Sequence, residues 1–244
     1  MEKATFKKIS QPVTLIEIIR EATDTYTYKF DIPQGVTWTA GANLHLLPYG
    51  LDEDIEIDKK TVHHLSIINL PREGYIGITT RIREQASIFK KKLQEARIGD
   101  SMCIFKIKNH MPLKRENHPV VLISMGVGIA TMRPLILEYV ADQTNIPAII
   151  NINVDSSGEF IYKEELISTE KYGVKNDFTK SRNEIKEAIK STFQLKNPRY
   201  YIVGSDNFLY NMADFLLKNH IGKHQIYFDK HQEDIEKILK NIYS

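Results

Sequence analysis

In the first half of the chain, short segments rich in β-branched and aromatic residues alternate with turn signals built from proline and glycine. Each segment has the length and composition of a β-strand. The predicted strands are 13–19, 25–30, 43–47, 63–69, 75–81 and 102–107. One helix is predicted at 88–96, where Ser87 is a suitable N-cap and Gly99-Asp100 turns the chain back. Short strands at this spacing predict a small antiparallel barrel or sandwich.

From Pro119 onwards the pattern changes to strands that alternate with helices. The predicted strands are 120–125, 148–154, 174–179, 200–203 and 225–228, and the predicted helices are 131–141, 163–167, 183–192 and 207–219. Asp206 is predicted to cap the last of these helices, and segment 232–243 is predicted to form a further amphipathic helix. This alternation predicts a parallel sheet with helices on both faces. Because the polar segment 114–118 separates the two patterns, we expect one domain at 1–116 and another at 117–244.

Composition narrows the class of protein. Hydrophobic residues make up 42% of the chain, charged residues make up 26%, and the net charge is only +2, without a basic stripe for nucleic acid. Cys103 is the sole cysteine, which excludes a disulfide framework and a cysteine-ligated iron–sulfur cluster and favours a core role for this residue. No apolar stretch has the length of a membrane span or a leader. We therefore expect a cytoplasmic globular protein that binds neither nucleic acid nor membrane.

A glycine turn, Gly126-Val-Gly128, joins an apolar strand to an amphipathic helix. Glycines let the backbone approach a phosphate, and the helix N-terminus supplies N–H groups and the positive end of a dipole. Gly126, Gly128 and Thr131 are therefore predicted to bind the pyrophosphate of a nucleotide cofactor. The third glycine of the dinucleotide fingerprint is absent, so a simple tight turn is the alternative at this point.

Five landmarks along nearly the whole chain come in the same order as in the ferredoxin–NADP reductase superfamily, which the sequence resembles. They are a glycine turn into a strand, a flavin motif, a phosphate-binding helix start with a Gly-Asp turn, a pyrophosphate loop, and the segment beside the nicotinamide. In this chain they are Gly41-Ala-Asn-Leu-His-Leu, His63-His-Leu-Ser66, the stretch 79–100 with Ser87, Gly126-Val-Gly128 with Pro134, and Tyr201-Ile-Val-Gly204-Ser205-Asp206 with Met212. The resemblance implies an FAD-binding antiparallel β-barrel at 1–116 and an α/β domain at 117–244 that binds NADH or NADPH.

On the flavin side, the resemblance implies that His63, His64, Leu65 and Ser66 lie at the cofactor, with the Ser66 hydroxyl near flavin N5. The family has an arginine at the position of His63 and a stacking aromatic residue at that of Leu65. Adjacent strand residues point to opposite faces. We therefore expect one imidazole to face the flavin and the other to face solvent or the neighbouring strand, and we predict no shared metal site.

The end of the fifth predicted strand is implied to contact the flavin ring edge and its pyrophosphate. Its candidate residues are Thr80, Arg81 and Arg83, followed by Ser87 at the helix start. Either arginine is a candidate to replace the missing arginine of the flavin motif, and a solvated run of charge is the alternative. Ser87 suits both of its roles, because an N-cap and a phosphate-binding helix start are the same physical arrangement.

On the nucleotide side, Gly204 and Ser205 are implied to lie beside the nicotinamide, with Val203 where the family has a cysteine and Ser205 where it has a proline. Asp155 ends the second strand of the α/β domain, where a carboxylate accepts a hydrogen bond from a ribose hydroxyl and disfavours a 2′-phosphate. That favours NADH. Lys180-Ser181-Arg182 follows the third strand and favours the 2′-phosphate of NADPH, so both cofactors stay open.

The resemblance implies a flavin-dependent oxidoreductase that passes hydride from NAD(P)H to bound FAD and electrons on to an external acceptor. Ser66 and Asp229 are the predicted catalytic residues, and for Asp229 an ordinary surface acid is the alternative. The acceptor is expected to be a small redox protein such as a ferredoxin or flavodoxin, free flavin, or a ferric species. Two other functions stay open: a flavin-binding electron-transfer subunit that does not turn over alone, and a degenerate scaffold for protein interaction.

Overall fold

The computed structural model describes residues 9–50, 57–58 and 60–230. Contacts divide the chain into two compact units after Asn109, somewhat earlier than the predicted boundary at 116. The segment after Asn109 is held to the second unit by the Tyr201 hydroxyl, which donates to the Pro112 carbonyl (3.1 Å) and accepts from the Lys114 N–H (3.0 Å). The helix predicted at 232–243 lies outside the described residues.

The first unit is built on an antiparallel sheet, as predicted. Its strands are β1 (Gln11–Ala22), β2 (Thr25–Phe30), β3 (Ala42–Leu47), β4 (His63–Ser66), β5 (Ile76–Arg81) and β6 (Ser101–Asn109), in the order β4-β3-β6-β1-β2-β5. The long strand β1 belongs to both halves, because residues 11–14 pair with β6 and residues 15–22 pair with β2. A register shift between Leu15 and Glu17 adds the local twist that lets the sheet curl.

Asn69 joins the two edge strands of this sheet. The Ile68 N–H donates to the Gly77 carbonyl (3.0 Å), and the Gly77 N–H donates to Asn69 Oδ1 (2.8 Å). Asn69 Nδ2 donates to the Tyr75 carbonyl (2.6 Å), and the indole N–H of Trp38 donates to the Asn69 carbonyl (2.7 Å). Asn69 is fully buried, so these bonds satisfy polar groups that would otherwise be costly.

The single helix described in this unit, α1 (Ile88–Glu95), contributes Phe89 and Leu93 to the core of the sheet. Ser87 caps it as predicted, because its Oγ accepts from the Lys90 N–H (3.4 Å). Cys103 packs with Leu47 and Phe105 in a separate buried cluster, in agreement with the core role predicted for it.

The second unit is built on a parallel sheet, again as predicted. Its strands are β7 (Val120–Met125), β8 (Ile149–Val154), β9 (Val174–Thr179), β10 (Arg199–Val203) and β11 (Ile226–Phe228), in the order β11-β10-β7-β8-β9. The helices are α2 (Ile129–Ala141), α3 (Lys163–Ser168), α4 (Arg182–Lys190) and α5 (Asp206–Lys218). Residues 120–123 of β7 are fully buried, which is why the central strand is a continuous apolar run.

Helices cover both faces of this sheet. Ile185 of α4 and Leu209 of α5 pack in one cluster with alternate residues of β7, β8 and β10. On the opposite face, the amide of Asn176 in β9 donates to the Leu166 carbonyl of α3 (2.8 Å). Because β7 has β8 on one side and β10 on the other, the chain reverses direction across the sheet at β7. Ligands of open α/β sheets bind outside the carboxyl ends of the strands at such a switch point.

Two helix starts differ from the sequence expectation. Helix α2 begins at Ile129 and is preceded by a 3₁₀ turn at Gly126–Gly128, so the helix starts before Thr131. The cap of α5 is Ser205, whose Oγ accepts from the Phe208 N–H (3.3 Å), and the prediction that Asp206 caps this helix is wrong. Asp206 is the first helical residue, and its carboxylate pairs with Lys230 (2.9 Å). Among the described residues, no helix is both long and apolar enough to cross a membrane.

Replacing Asn69 by alanine tests the closure of the first unit. Asn69→Ala removes the hydrogen bonds to the Gly77 N–H and the Tyr75 carbonyl in a buried site, so we expect a loss on the order of 2–3 kcal/mol in unfolding free energy. Trp38, the only tryptophan, lies beside Asn69, so its fluorescence during urea unfolding reports this unit.

Gln94→Ala, on the exposed side of α1, is the control and should change stability by less than about 0.5 kcal/mol. An Asn69→Ala variant as stable as this control would contradict the closing role of Asn69.

Candidate functional site

The glycine turn after β7 has the geometry that only glycine allows. Gly126 has a φ of +55°, a left-handed conformation that side chains disfavour. A Cβ on Gly128 would lie 3.0 Å from the Val203 carbonyl oxygen and 3.1 Å from Val203 Cγ1. Gly128 therefore lets the start of α2 pack against β10. Because the Ile129 N–H donates to the Gly126 and Val127 carbonyls, the N–H groups that lack helical partners are those of the 3₁₀ turn Gly126–Gly128, at the switch point.

Asn153, which the sequence analysis did not single out, supports this turn from β8. It is 1% exposed, and its Nδ2 donates to Ser124 Oγ (2.8 Å) and to the Gly126 carbonyl (3.4 Å). A polar amide inside an otherwise apolar strand is the sequence signal that marks it, because burying an amide without a partner is unfavourable. Asn153 thus fixes the position of the Gly126 peptide.

The end of β10 forms the other wall of the switch point. In the register of the sheet, Val203 pairs with Ser124, which places Gly204 beside Met125. A Cβ on Gly204 would lie 2.5 Å from Phe208 Cδ1 and 3.3 Å from Met125 Cβ, so no side chain fits there. Ser205 is exposed and caps α5. The structure therefore brings Gly126, Gly128, Gly204 and Ser205 to one edge of the sheet.

The predicted ribose contact, Asp155, lies at the same edge but is already engaged. It is 6% exposed, and its Oδ1 accepts from the Ser157 N–H (3.0 Å) and hydroxyl (2.7 Å). Lys180 lies along this turn, with its Cε 3.0 Å from where a Cβ on Gly158 would be. Ser181 caps α4, because its Oγ accepts from the Glu184 N–H (3.2 Å) and its hydroxyl donates to Glu184 Oε1 (2.9 Å).

Two other predicted residues of this unit are placed as follows. Thr131 is the third residue of α2 and is 4% exposed. Asp229 directly follows β11 and is half-buried.

In the first unit, β4 carries its two histidines on opposite faces. The imidazole of His63 stacks on Phe89 of α1, with centroids 4.1 Å apart and planes 9° from parallel. His64 is exposed and makes an edge contact with His45 on β3 (5.5 Å). Leu65 packs against the core on the His63 side, and Ser66 is half-buried opposite Asn43 of β3. In segment 63–66, His63 therefore packs against α1, and His64 contacts His45 of β3 on the opposite face.

A cluster of positive charge surrounds the N-terminus of α1, where β5 ends. Lys90 Nζ donates to the Arg81 carbonyl (2.6 Å), and Arg81 Nε donates to Thr25 Oγ1 (3.2 Å). Burial lowers the pKa of Lys90, and the charges of Arg83 and Arg81 lower it further. Burial, followed by the charge of Lys90, lowers the pKa of His63. Thr80 is 5% exposed on this strand.

Lys90 is the residue of this cluster that the sequence analysis missed. It lies three residues after the N-cap, in the first turn of α1, where acidic residues ordinarily complement the helix dipole. The first turn of α1 contains no acidic residue. A lysine there is unfavourable for the isolated helix and becomes favourable when an anion binds, and this is the sequence signal that marks it.

Comparison with solved structures places both units in a known fold. A ferredoxin NADP+ reductase from Neisseria gonorrhoeae with bound FAD and NADP superposes with a TM-score of 0.75 at 14% identity, over 90% of this chain and 97% of that one. The flavohem-like FAD/NAD binding domain of nitric oxide dioxygenase from Vibrio cholerae gives 0.74 at 14%, over 90% and 98%. The CS-b5R domains of human Ncb5or give 0.73 at 16%, over 91% of this chain and 69% of that one.

No protein-family model and no curated protein matches the sequence. The structural matches show that the chain has the fold of ferredoxin–NADP reductases, with an antiparallel barrel followed by a parallel α/β unit, as the resemblance implied.

The environment of His63 makes stability depend on pH. Because the pKa of His63 is lowered below its ordinary 6.5, the folded protein favours the neutral imidazole. The resulting stability is present above pH 6.5 and is lost as the pH falls below it. We expect His63→Phe, which keeps a ring on Phe89, to lose less melting temperature than the wild type between pH 7.5 and 5.5, in scanning calorimetry without added flavin.

His64→Phe on the same strand is the control, and its pH dependence should follow the wild type more closely than that of His63→Phe. Equal pH dependence in the wild type and His63→Phe would contradict the buried, neutral state assigned to His63.

Proposed function

We propose that this protein is an NAD(P)H-dependent flavoprotein reductase that passes hydride from NAD(P)H to bound FAD and electrons on to an external acceptor. The observation that supports the proposal is that one chain contains two regions suited to an anion, and that these regions are built differently. The first unit offers a cationic cluster at the start of α1, and the second offers a glycine-lined switch point at the start of α2. The solved reductase of similar fold is described with FAD and NADP bound.

The first unit fits the pyrophosphate of FAD. Lys90, Arg81 and Arg83 place positive charge near one another at a helix N-terminus, and their mutual repulsion is relieved when a doubly charged pyrophosphate binds. Burial, followed by the charge of Lys90, lowers the pKa of His63, so we infer that it contributes an N–H donor rather than a further charge. Ser87 and the first N–H groups of α1 complete the set.

The second unit fits the pyrophosphate of NAD(P)H. Gly126 and Gly128 expose backbone N–H groups that a side chain would cover, and Asn153 holds the turn in place. When bound, the two cofactors supply the hydride and the ring that accepts it. The residues of the chain bind, orient and shield them.

Ser66 and Asp229 are proposed to act on the reacting groups. Ser66 is half-buried at the end of β4, and we infer that its hydroxyl donates a hydrogen bond to the flavin near N5. Asp229 follows β11 and is proposed as the acidic residue near the nicotinamide. We infer that Asp155 and Lys180 define the adenosine end of the nucleotide site, where the choice between NADH and NADPH is made.

The absorption spectrum of the purified protein tests the function. We expect the purified protein to show the visible absorption bands of bound oxidised flavin. In anaerobic titration with NADH and NADPH, at least one nucleotide should bleach these bands rapidly. Steady-state oxidation with an artificial acceptor then separates an autonomous reductase from an electron-transfer subunit.

A bound flavin that neither nucleotide reduces would contradict the reductase and favour the electron-transfer subunit. A colourless protein whose melting temperature is unchanged by FAD and by NAD(P)H would contradict flavin binding altogether.

Replacing Lys90 tests the flavin site. A charged hydrogen bond to phosphate contributes about 1.5–3 kcal/mol, so Lys90→Gln should weaken FAD binding roughly 10- to 100-fold. Affinity is measured by flavin fluorescence titration of the flavin-depleted protein. Riboflavin, which lacks phosphate, should lose none of its affinity.

Lys91→Gln is the matched control, because Lys91 is the next residue along α1 and is exposed. It should change FAD affinity by no more than about twofold. Equal losses for the two variants, or an equal loss for riboflavin, would contradict a specific contact between Lys90 and the pyrophosphate.

A further inference from the structure

Met125 is an apolar side chain that emerges at the switch point of the second unit. Residues 120–124 of β7 are fully buried, whereas Met125, the last residue of the strand, is 36% exposed. Among the described residues of this unit, the other exposed large hydrophobic side chains are Ile167 and Tyr172, which belong to α3 and to the 3₁₀ turn after it. Met125 differs from these two residues because it lies at the carboxyl end of the central strand.

The residues around Met125 leave its side chain partly exposed. Its Cβ lies 3.3 Å from where a Cβ on Gly204 would be, so glycine on β10 provides the space beside it. On its other side the chain continues into the Gly126 turn. Val203, the neighbouring large residue of β10, has its Cγ1 3.1 Å from where a Cβ on Gly128 would be. Val203 thus packs under the turn, and Met125 supplies the apolar surface at this edge.

We propose, on the basis of the proposed function, that the Met125 side chain contacts the nicotinamide ring of bound NAD(P)H and helps to position it. The pyrophosphate requires the N–H donors of the Gly126–Gly128 turn, which begins one residue after Met125. A flat, weakly polar ring instead requires an apolar partner next to those donors. A thioether suits this role because it is flexible and polarizable and makes favourable contacts with rings.

This assignment gives Met125 a specific role in binding. It acts on the nicotinamide half of the nucleotide and not on the ADP half, which is held by the backbone of the Gly126 turn and by the loop at Asp155. Glycine at 204 is needed for this arrangement, because any side chain there would meet Met125 and Phe208 and displace them. Met125 is therefore a positioning residue. It takes no chemical part in hydride transfer.

The test compares two ligands that differ only in the nicotinamide half. The first is the 1,4,5,6-tetrahydronicotinamide analogue of NADH or NADPH, which has no hydride to give, and the second is ADP-ribose or its 2′-phosphate. Affinities for the flavin-loaded protein are measured by calorimetry. We expect Met125→Ala and Met125→Gln to weaken the tetrahydro analogue roughly two- to tenfold, the range of a sulfur–ring contact. ADP-ribose affinity should be unchanged in both variants, which also shows that the site is folded.

Ile167→Ala is the matched control, because Ile167 is 39% exposed in the same unit and lies on α3. It should leave both affinities at the wild-type value. If both Met125 variants keep the wild-type ratio of the two affinities, or bind the analogue more tightly, the assignment of Met125 is overturned while the proposed function stands. If the wild-type protein binds neither ligand, the proposed function fails and the role of Met125 fails with it.

Discussion

Positive charge at the N-terminus of a helix is unfavourable unless an anion is present. The anion site proposed in the first unit depends on this constraint. Lys90 lies in the first turn of α1 and is half-buried, and its pKa is lowered by burial and then by the charges of Arg83 and Arg81. Arg81 lies on β5, one of the two edge strands of the sheet that Asn69 and Gly77 join. The interactions that join these edges therefore also hold part of the anion site proposed at the start of α1.

At its glycine turn, the anion site proposed in the second unit is built from backbone groups rather than from cationic side chains. Gly126 and Gly128 shape the turn that precedes α2, and the Asn153 amide donates to the Gly126 carbonyl. This difference gives a physical account of the departures from the flavin motif. Since Lys90 supplies charge from α1, a neutral His63 is sufficient on β4.

The sequence predicted the fold well, because the pattern of buried apolar residues differs between its strands and its helices. Strands such as β7 are apolar throughout and the helices are amphipathic, so their existence and order follow from pattern. The site was less predictable. Lys90 and Asn153 act through contacts with residues distant in the sequence, and Ser205 rather than Asp206 caps α5 because the backbone becomes helical one residue earlier than expected. Such details depend on tertiary geometry, which local patterns do not encode.

The most direct test of the account is a crystal structure of the FAD-loaded protein. We expect the pyrophosphate oxygens to lie within hydrogen-bond distance of Lys90 Nζ and of the first N–H groups of α1, with His63 still stacked on Phe89. A pyrophosphate bound elsewhere on the barrel, with Lys90 still bonded only to the Arg81 carbonyl, would contradict it.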